Sequence, residues 1–290
     1  MMRPRFTVIV PSYARPDRLL VCLRAVDALS YDGYDVVVSD DGSPDPLEPL
    51  VARERWQHDV GVVRGPNRGS GAARNRAAAE ALGSRLAFTA DDCAPAVDWL
   101  QRHEAAFNRP GLGSALIGGS IRHARSQDLC ATASHLLIDY LTLVFNREQP
   151  QFFTPNNLAV DAQAFADSGG FDDTIGATGE DREFCARWLK QGRTIGFAPD
   201  AVVSHDHPLT FAGYLRQQAA YGRGSERSRA RVERGSRPGV PMPLGFYLRL
   251  VLHPFRAEPV TRAVPLVGLL AAGQVANTWG VLRERGRRER

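Results

Sequence analysis

The stretch FTVIVPSYARPDRLLVCLRAVDAL, residues 6–29, decides the fold. Residues 6–10 form a short unbroken apolar run, the pattern of a strand buried on both faces of a parallel sheet. Residues 17–29 then space their apolar side chains as a helix does. The alternation continues downstream. YDVVVSDDGSPD (34–45) is a second buried strand closing on acid and turn residues, and VGVVR (60–64) is a third. GSGAARNRAAAEALG (69–83) is a helix ending at a glycine, and RLAFTADD (85–92) is a fourth strand. A β-α rhythm of about 30 residues predicts an open, mostly parallel α/β sheet flanked by helices.

At 290 residues the chain suits one large domain, or one domain with an extension. Its 43% hydrophobic and 23% charged residues are ordinary for a soluble globular protein. Net charge is only +4, and of the 36 basic residues only Lys190 is lysine. That bias points to a GC-rich coding sequence, and without a basic-aromatic motif no nucleic-acid partner is expected. Cys22, Cys93, Cys130 and Cys185 are scattered without C-x-x-C spacing and read as reduced thiols. The N-terminal MMRPRFTVIVPSY runs straight into a strand. The expectation is a cytoplasmic protein with no targeting segment.

Ligands of open α/β sheets sit beyond the carboxyl ends of the strands. Three such ends carry polar groups: Pro11-Ser12-Tyr13, Asp40-Asp41-Gly42-Ser43 and Asp91-Asp92. A dinucleotide site would need G-x-G-x-x-G after the first strand, where this chain has PSYARPDR. A glycine loop therefore does not cradle phosphate. Asp91 and Asp92 repel one another, so something must hold them: a cation, a ribose hydroxyl or solvent alone. A shared nucleotide diphosphate and its cation is the favoured reading. A solvated loop, and for Asp40–Ser43 a bare turn, are the alternatives.

Seven segments occur in a telling order: VIVPSYARPDRL, VVVSDDGSPD, RGSGAARNRAAAEA, FTADDCAP, NNLAV with FADSGGFDD, GEDREFCARWLKQG and VVSHDHP. Together, over about residues 5–222, they resemble a family 2 glycosyltransferase with the GT-A fold. The resemblance implies an inverting, metal-dependent enzyme that uses a nucleotide-diphospho-sugar donor, a hydroxyl acceptor and a divalent cation, Mn²⁺ or Mg²⁺. It implies that Pro11, Ser12 and Tyr13 line the nucleobase pocket, with Arg15 in the same loop, and that Asp41 accepts the base imide N–H. Arg74 would face the nucleotide, Asp91 the ribose and Asp92 the metal. Ala90 stands where many relatives carry a further acid.

The same resemblance makes Asp181 the catalytic base and Glu180 its partner and an acceptor contact. Both open a helix whose apolar face carries Phe184, Cys185, Trp188 and Leu189. Acids in a first helical turn are also favoured by the macrodipole alone. Asn156 and Asn157 are acceptor-binding candidates with an equally open structural role, and Phe171 is expected to pack. IGFAPDAVVSHDHPLTF (195–211) reads as strand, turn, strand. His205, favoured over His207, is the expected imidazole ligand of the metal. Two rivals are a non-catalytic sugar-nucleotide-binding protein and a nucleotidyltransferase. The latter would want a glycine-rich basic signature after strand one.

Residues 1–220 are thus the expected catalytic domain. Residues 221–243, with six arginines among Gly, Ser and Pro, are an expected loop. Residues 244–290 are an expected helical extension. Ala263–Leu282 carries no charge, but Gln274, Asn277 and Thr278 share a helix face. The reading is an amphipathic helix resting on the domain, on a second subunit as a homodimer, or on a membrane surface from the cytoplasmic side.

Overall fold

In the computed structural model, which describes residues 5–124, 127–232 and 243–288, the run at residues 6–10 lies at the heart of a mixed sheet. The described residues divide into two compact units, one within residues 1–122 and 150–206, the other within residues 123–149 and 207–290.

The first unit carries, in chain order, β1 (Phe6–Ser12), α1 (Pro16–Asp27), β2 (Tyr34–Asp40), α2 (Glu48–Ala52), β3 (Val60–Arg64) and α3 (Ser70–Ala79). Then come β4 (Arg85–Phe88), β5 (Cys93–Pro95), α4 (Trp99–Phe107) and β6 (Leu116–His123). The second unit contributes α5 (Leu129–Phe145), after which the first resumes with β7 (Leu158–Asp161), α6 (Ala162–Asp167), α7 (Glu180–Lys190) and β8 (Ile195–His205). The strand order is β3-β2-β1-β4-β7-β6-β8-β5. Parallel pairing joins β3, β2, β1 and β4. It gives way to antiparallel pairing where β7 meets β4 and β6, and again between β5 and β8. The predicted α/β sheet is present: parallel pairing joins its first four strands, and β7 enters antiparallel between β4 and β6.

Every residue of β1 and β2 is buried, as central parallel strands covered on both faces require. α1 begins with Pro16 in its first turn, where the missing N–H costs nothing. It buries Leu19, Cys22, Leu23 and Val26, one stripe at helical spacing. The expected strand-turn-strand at 195–205 is instead one continuous strand, β8. Pro199 and Asp200 are exposed within it, and a proline with no N–H to donate is tolerated where no ladder bond is needed. Downstream of β2, Gly42 has φ +80°, and a Cβ there would lie 2.8 Å from the Asn67 backbone nitrogen. Only glycine allows the β2 turn to sit so close to the loop before α3.

The second unit is helical: α5, α8 (Phe211–Val232), α9 (Leu244–Leu252), α10 (Pro254–Ala257) and α11 (Val260–Arg288). Leu137 and Tyr140 of α5, Tyr214 of α8, Phe246 and Leu250 of α9, and Leu266 of α11 share one core. Here the structure corrects the loop expected at 221–243: residues 221–232 complete α8, and residues 233–242 lie outside the described residues. The glycines are a packing seam, not turn signals. A Cβ on Gly222 would lie 2.0 Å from the Asn277 carbonyl oxygen, and one on Gly280 would lie 2.1 Å from that of Ala219. The α8 and α11 backbones therefore touch. Arg227–Glu284 at 3.1 Å and Arg285–Glu226 at 3.1 Å lock the end of the seam. Among the described residues, α11 is the helix long and apolar enough to cross a membrane by length and composition.

Candidate functional site

The question of what holds two adjacent carboxylates has an answer in side chains. Arg15 Nη1 donates to Asp91 Oδ1 and to Asp92 Oδ2, both at 3.2 Å. Arg18 approaches Asp92 Oδ2 at 3.9 Å. Ser12 Oγ, at the end of β1, donates to Asp91 Oδ2 at 2.8 Å. Burial and the neighbouring Asp92 push the Asp91 carboxyl above its usual range, while Arg15 and Ser12 oppose them. Arg18 was not anticipated from the sequence. Its signal was position: it lies in the first turn of α1, three residues after Arg15 at the helix N-cap.

Between Tyr13 and Arg15, Ala14 has φ +52°, the only non-glycine residue with positive φ among the described residues. Such strain persists where surroundings enforce it. The Ala14 N–H donates to Ser43 Oγ at 2.9 Å, tying the β1 and β2 ends together. Tyr13 is 46% exposed beside this kink, so its ring is not core packing.

At the β2 end the two acids divide their work. Asp40 caps the turn, accepting from the Ser43 N–H at 2.8 Å and the Leu47 N–H at 3.2 Å. Asp41 accepts from the backbone N–H of Gly69 at 2.8 Å and of Arg68 at 3.3 Å, and from Arg76 Nη2 at 3.4 Å. Two carboxylate oxygens offer about four acceptor positions, so the Asp41 carboxylate has capacity for one more donor. Arg76 also holds Ser39 Oγ and the Asp40 and Pro66 carbonyls.

At the start of α7 the structure separates Glu180 from Asp181. Glu180 is buried, and its Oε1 accepts from Ser70 Oγ at 2.7 Å and Arg74 Nη1 at 3.3 Å. The expected acceptor contact is corrected on this point: Glu180 faces inward and ties α7 to α3. Arg74, also buried, lies over the Phe171 ring at 5.7 Å. Phe171 packs as expected, in a cluster with Phe88, Phe165 and Phe184. Arg74 is thus an internal cation within electrostatic reach of Glu180, Asp181 and Cys93. Asp181 is half-buried and accepts from the Arg182 N–H at 2.8 Å. Burial first, then the charge of Glu180, pushes it up to about 6.

Asn157 is likewise corrected. Its Nδ2 donates to the Ser120 and Ala201 carbonyls, each at 2.8 Å. Its Oδ1 accepts from Trp99 Nε1 at 2.8 Å and His103 Nε2 at 3.0 Å. A fully committed amide in the core cannot also reach an acceptor. Asn156 beside it is half-buried.

His205 Nε2 lies 3.4 Å from Asp92 Oδ1, and Cys93 Sγ lies 3.8 Å from the same oxygen. Cys93 and His205 are directly paired across the β5–β8 ladder, so their side chains share a face. The three donor atoms lie within 4.8 Å of one another, a set that could hold a metal ion. Carboxylate oxygen with imidazole nitrogen suits Mn²⁺-class ions. Burial pushes the Cys93 thiol well up, and sulfur is the softer ligand, so Asp92 with His205 are the better-fitting pair for such an ion. His207, in the other unit, sits 3.1 Å from Gln217 Nε2.

The family model described as Glycosyl transferase family 2 matches residues 7–166, and the one described as Glycosyl transferase family group 2 matches residues 88–278. Among curated proteins, the chain is 26% identical over 225 residues to Glycosyltransferase AglE of Haloferax volcanii, covering 76% of this chain and 73% of that protein. It is 30% identical over 209 residues to the Pre-mycofactocin glycosyltransferase of Mycobacterium tuberculosis, covering 67% of this chain and 42% of that one. Among solved structures, a mannosyltransferase from Pyrobaculum calidifontis in complex with GDP-Man and Mn²⁺ superposes with a TM-score of 0.63 at 20% identity, covering 96% of this chain and 88% of that one. Residues 1–349 of TarS from S. aureus superpose with a TM-score of 0.55 at 18% identity, covering 98% of this chain and 91% of that one. The family match spans more than half of the chain, on a sheet whose parallel strand ends gather Ser12, Asp41 and the Asp91–Asp92 pair; the chain belongs to glycosyltransferase family 2 and is a glycosyltransferase with the GT-A, nucleotide-sugar-binding fold.

Proposed function

We propose that the enzyme transfers a sugar from a nucleoside-diphospho-sugar to an acceptor hydroxyl in one inverting displacement that depends on a divalent cation. The observation that carries this reading is the strand-end group Asp91, Asp92 and His205, held by Arg15 at 3.2 Å from each carboxylate. In it, Tyr13 offers a face for the nucleobase with Pro11 and Ser12 at the base of the pocket. Asp41 accepts the imide N–H of uracil, thymine or guanine, and Asp91 meets the ribose. Arg74 acts one layer deeper, beneath the nucleotide, by holding Glu180. A divalent cation held by Asp92 and His205 would neutralise the diphosphate leaving group. Asp181 takes the proton of the acceptor hydroxyl as its oxygen attacks the anomeric carbon. Asn156 remains the acceptor-side amide. Four free cysteines, Cys22, Cys93, Cys130 and Cys185, support placement in the reducing cytoplasm.

Calorimetry with UDP, GDP and dTDP, each with Mn²⁺, Mg²⁺ or EDTA, tests the donor site. One nucleotide is expected to bind only with the cation, and Asp92→Asn to weaken that binding at least about tenfold by removing a charged ligand. Equal affinity in EDTA would remove the metal from the site. A second test concerns pH. A general base acts only when ionised, and Asp181 is pushed up to about 6. Thus kcat/KM should fall as pH drops through that value, along a one-proton acid limb. A flat profile across that region would remove Asp181 from the base role.

A further inference from the structure

The outer side of α11 is apolar where an amphipathic surface helix should be polar. Val260, Val264, Val275, Trp279 and Leu282 recur at helical spacing and are between 53% and 72% exposed. The other exposed positions on that face are the small Gly268 and Ala271 with the hydroxyl residues Thr261 and Thr278. Of the polar residues expected to face water, Asn277 turns inward instead, and its Nδ2 donates to the Gln218 carbonyl of α8 at 3.3 Å. In the same helical unit α9 repeats the pattern. Phe246 and Leu250 are buried, while Leu244, Leu248 and Leu252 are all more than half exposed.

Charge says what covers these faces. From Leu244 to Leu282 the only acid is Glu258, against Arg249, Arg256 and Arg262. Beyond Leu282 the chain adds Arg283, Arg285, Arg287, Arg288 and Arg290 against Glu284 and Glu289. Arg283 lies 5.1 Å over the Trp279 ring, so the aromatic end of the stripe carries a cation. We propose that the apolar stripe of α11, with the outer face of α9, docks on an anionic lipid bilayer, its helices lying in the plane of the interface. Apolar side chains enter the headgroup boundary, Trp279 sits at that level and the arginines meet lipid phosphates. A second copy of the chain is disfavoured, because a two-fold contact would set each arginine rim against its own kind. Spanning is disfavoured too. The inner side of α11 is in backbone contact with α8, which brings Arg223, Arg227, Arg229 and Arg231 with it. That helix cannot follow into hydrocarbon.

The experiment is flotation of the full chain with phosphatidylcholine vesicles, with and without phosphatidylglycerol, alongside sedimentation velocity without lipid. The wild type is expected to float with the anionic vesicles, and high salt or carbonate to release it. Brominated lipid should quench Trp279 in the bound protein, and the part of the quenching lost in Trp279→Phe reports that contact. Val264→Glu with Leu282→Glu, both exposed and so without effect on the core, should lower vesicle partitioning at least about tenfold with an unchanged melting curve. The proposal is overturned if the wild type stays in solution, or if the double variant floats equally well. It is also overturned if binding resists carbonate, or if the same variant instead dissociates a dimer that ignores vesicles.

Discussion

Asp181→Asn is expected to lower turnover by at least about 10²-fold, the loss typical when a positioned general base is removed, while nucleotide affinity stays near wild type. The substitution is nearly isosteric. An asparagine Oδ1 can still accept from the Arg182 N–H, the contact Asp181 makes at 2.8 Å. It also lifts the repulsion between Asp181 and Glu180 at the start of α7, so folding should not suffer. What disappears is a carboxylate poised at about 6, basic enough to take a proton and still ionised near neutral pH. Glu180→Gln makes the contrasting case. Its carboxylate receives Ser70 and Arg74 in a buried site, so neutralising it strips a buried guanidinium of its partner. The expected result is a lowered melting temperature along with any change in rate, because an uncompensated buried charge costs about 3–5 kcal/mol. Steady-state kinetics beside thermal melts separate the two. If Glu180→Gln melts normally and abolishes turnover while Asp181→Asn is nearly silent, the roles assigned to the pair are exchanged.

Asn157→Ala is expected to destabilise the first unit by at least about 3 kcal/mol, since each buried group left unpaired costs about 1–3 kcal/mol. Four partners lose their bond at once: the Trp99 indole, the His103 imidazole and the carbonyls of Ser120 and Ala201. His103 is fully buried and pushed down to about 4, so it is a neutral ring that donates through Nε2. The amide ties α4, β6 and β8 together from the edge of β7. At about 2–4 °C per kcal/mol for a unit of this size, melting should fall by roughly 6 °C or more. Asn156→Ala, one residue earlier and half-buried, should shift it by no more than about 1–2 °C, as substitutions away from such networks do. A normal melting curve for Asn157→Ala combined with lost turnover would restore the acceptor role that the packing denies it.

The sequence by itself determined the elements. FTVIV, YDVVV and RLAF could be read as buried parallel strands because a continuous apolar run is a local property. The helical spacing of DRLLVCLRAVDAL is equally local. It also brought the candidate residues together, because strands in parallel bring their carboxyl ends to one edge, and Ser12, Asp41, Asp91 and Asp92 lie at or just past the ends of β1, β2 and β4. Direction and depth were decided only in three dimensions. The antiparallel entry of β7 beside β4 depends on partners 70 to 76 residues away. Glu180 and Asp181, like Asn156 and Asn157, are neighbours of like chemistry. Which of each pair faces the core was set by α3 and by Trp99, His103, Ser120 and Ala201. The glycines and arginines of residues 221–232 carried the composition of a loop and fold as a helix. Gly222 is small because the α11 backbone lies against it, and that demand comes from Asn277, 55 residues further on, where no local pattern could announce it.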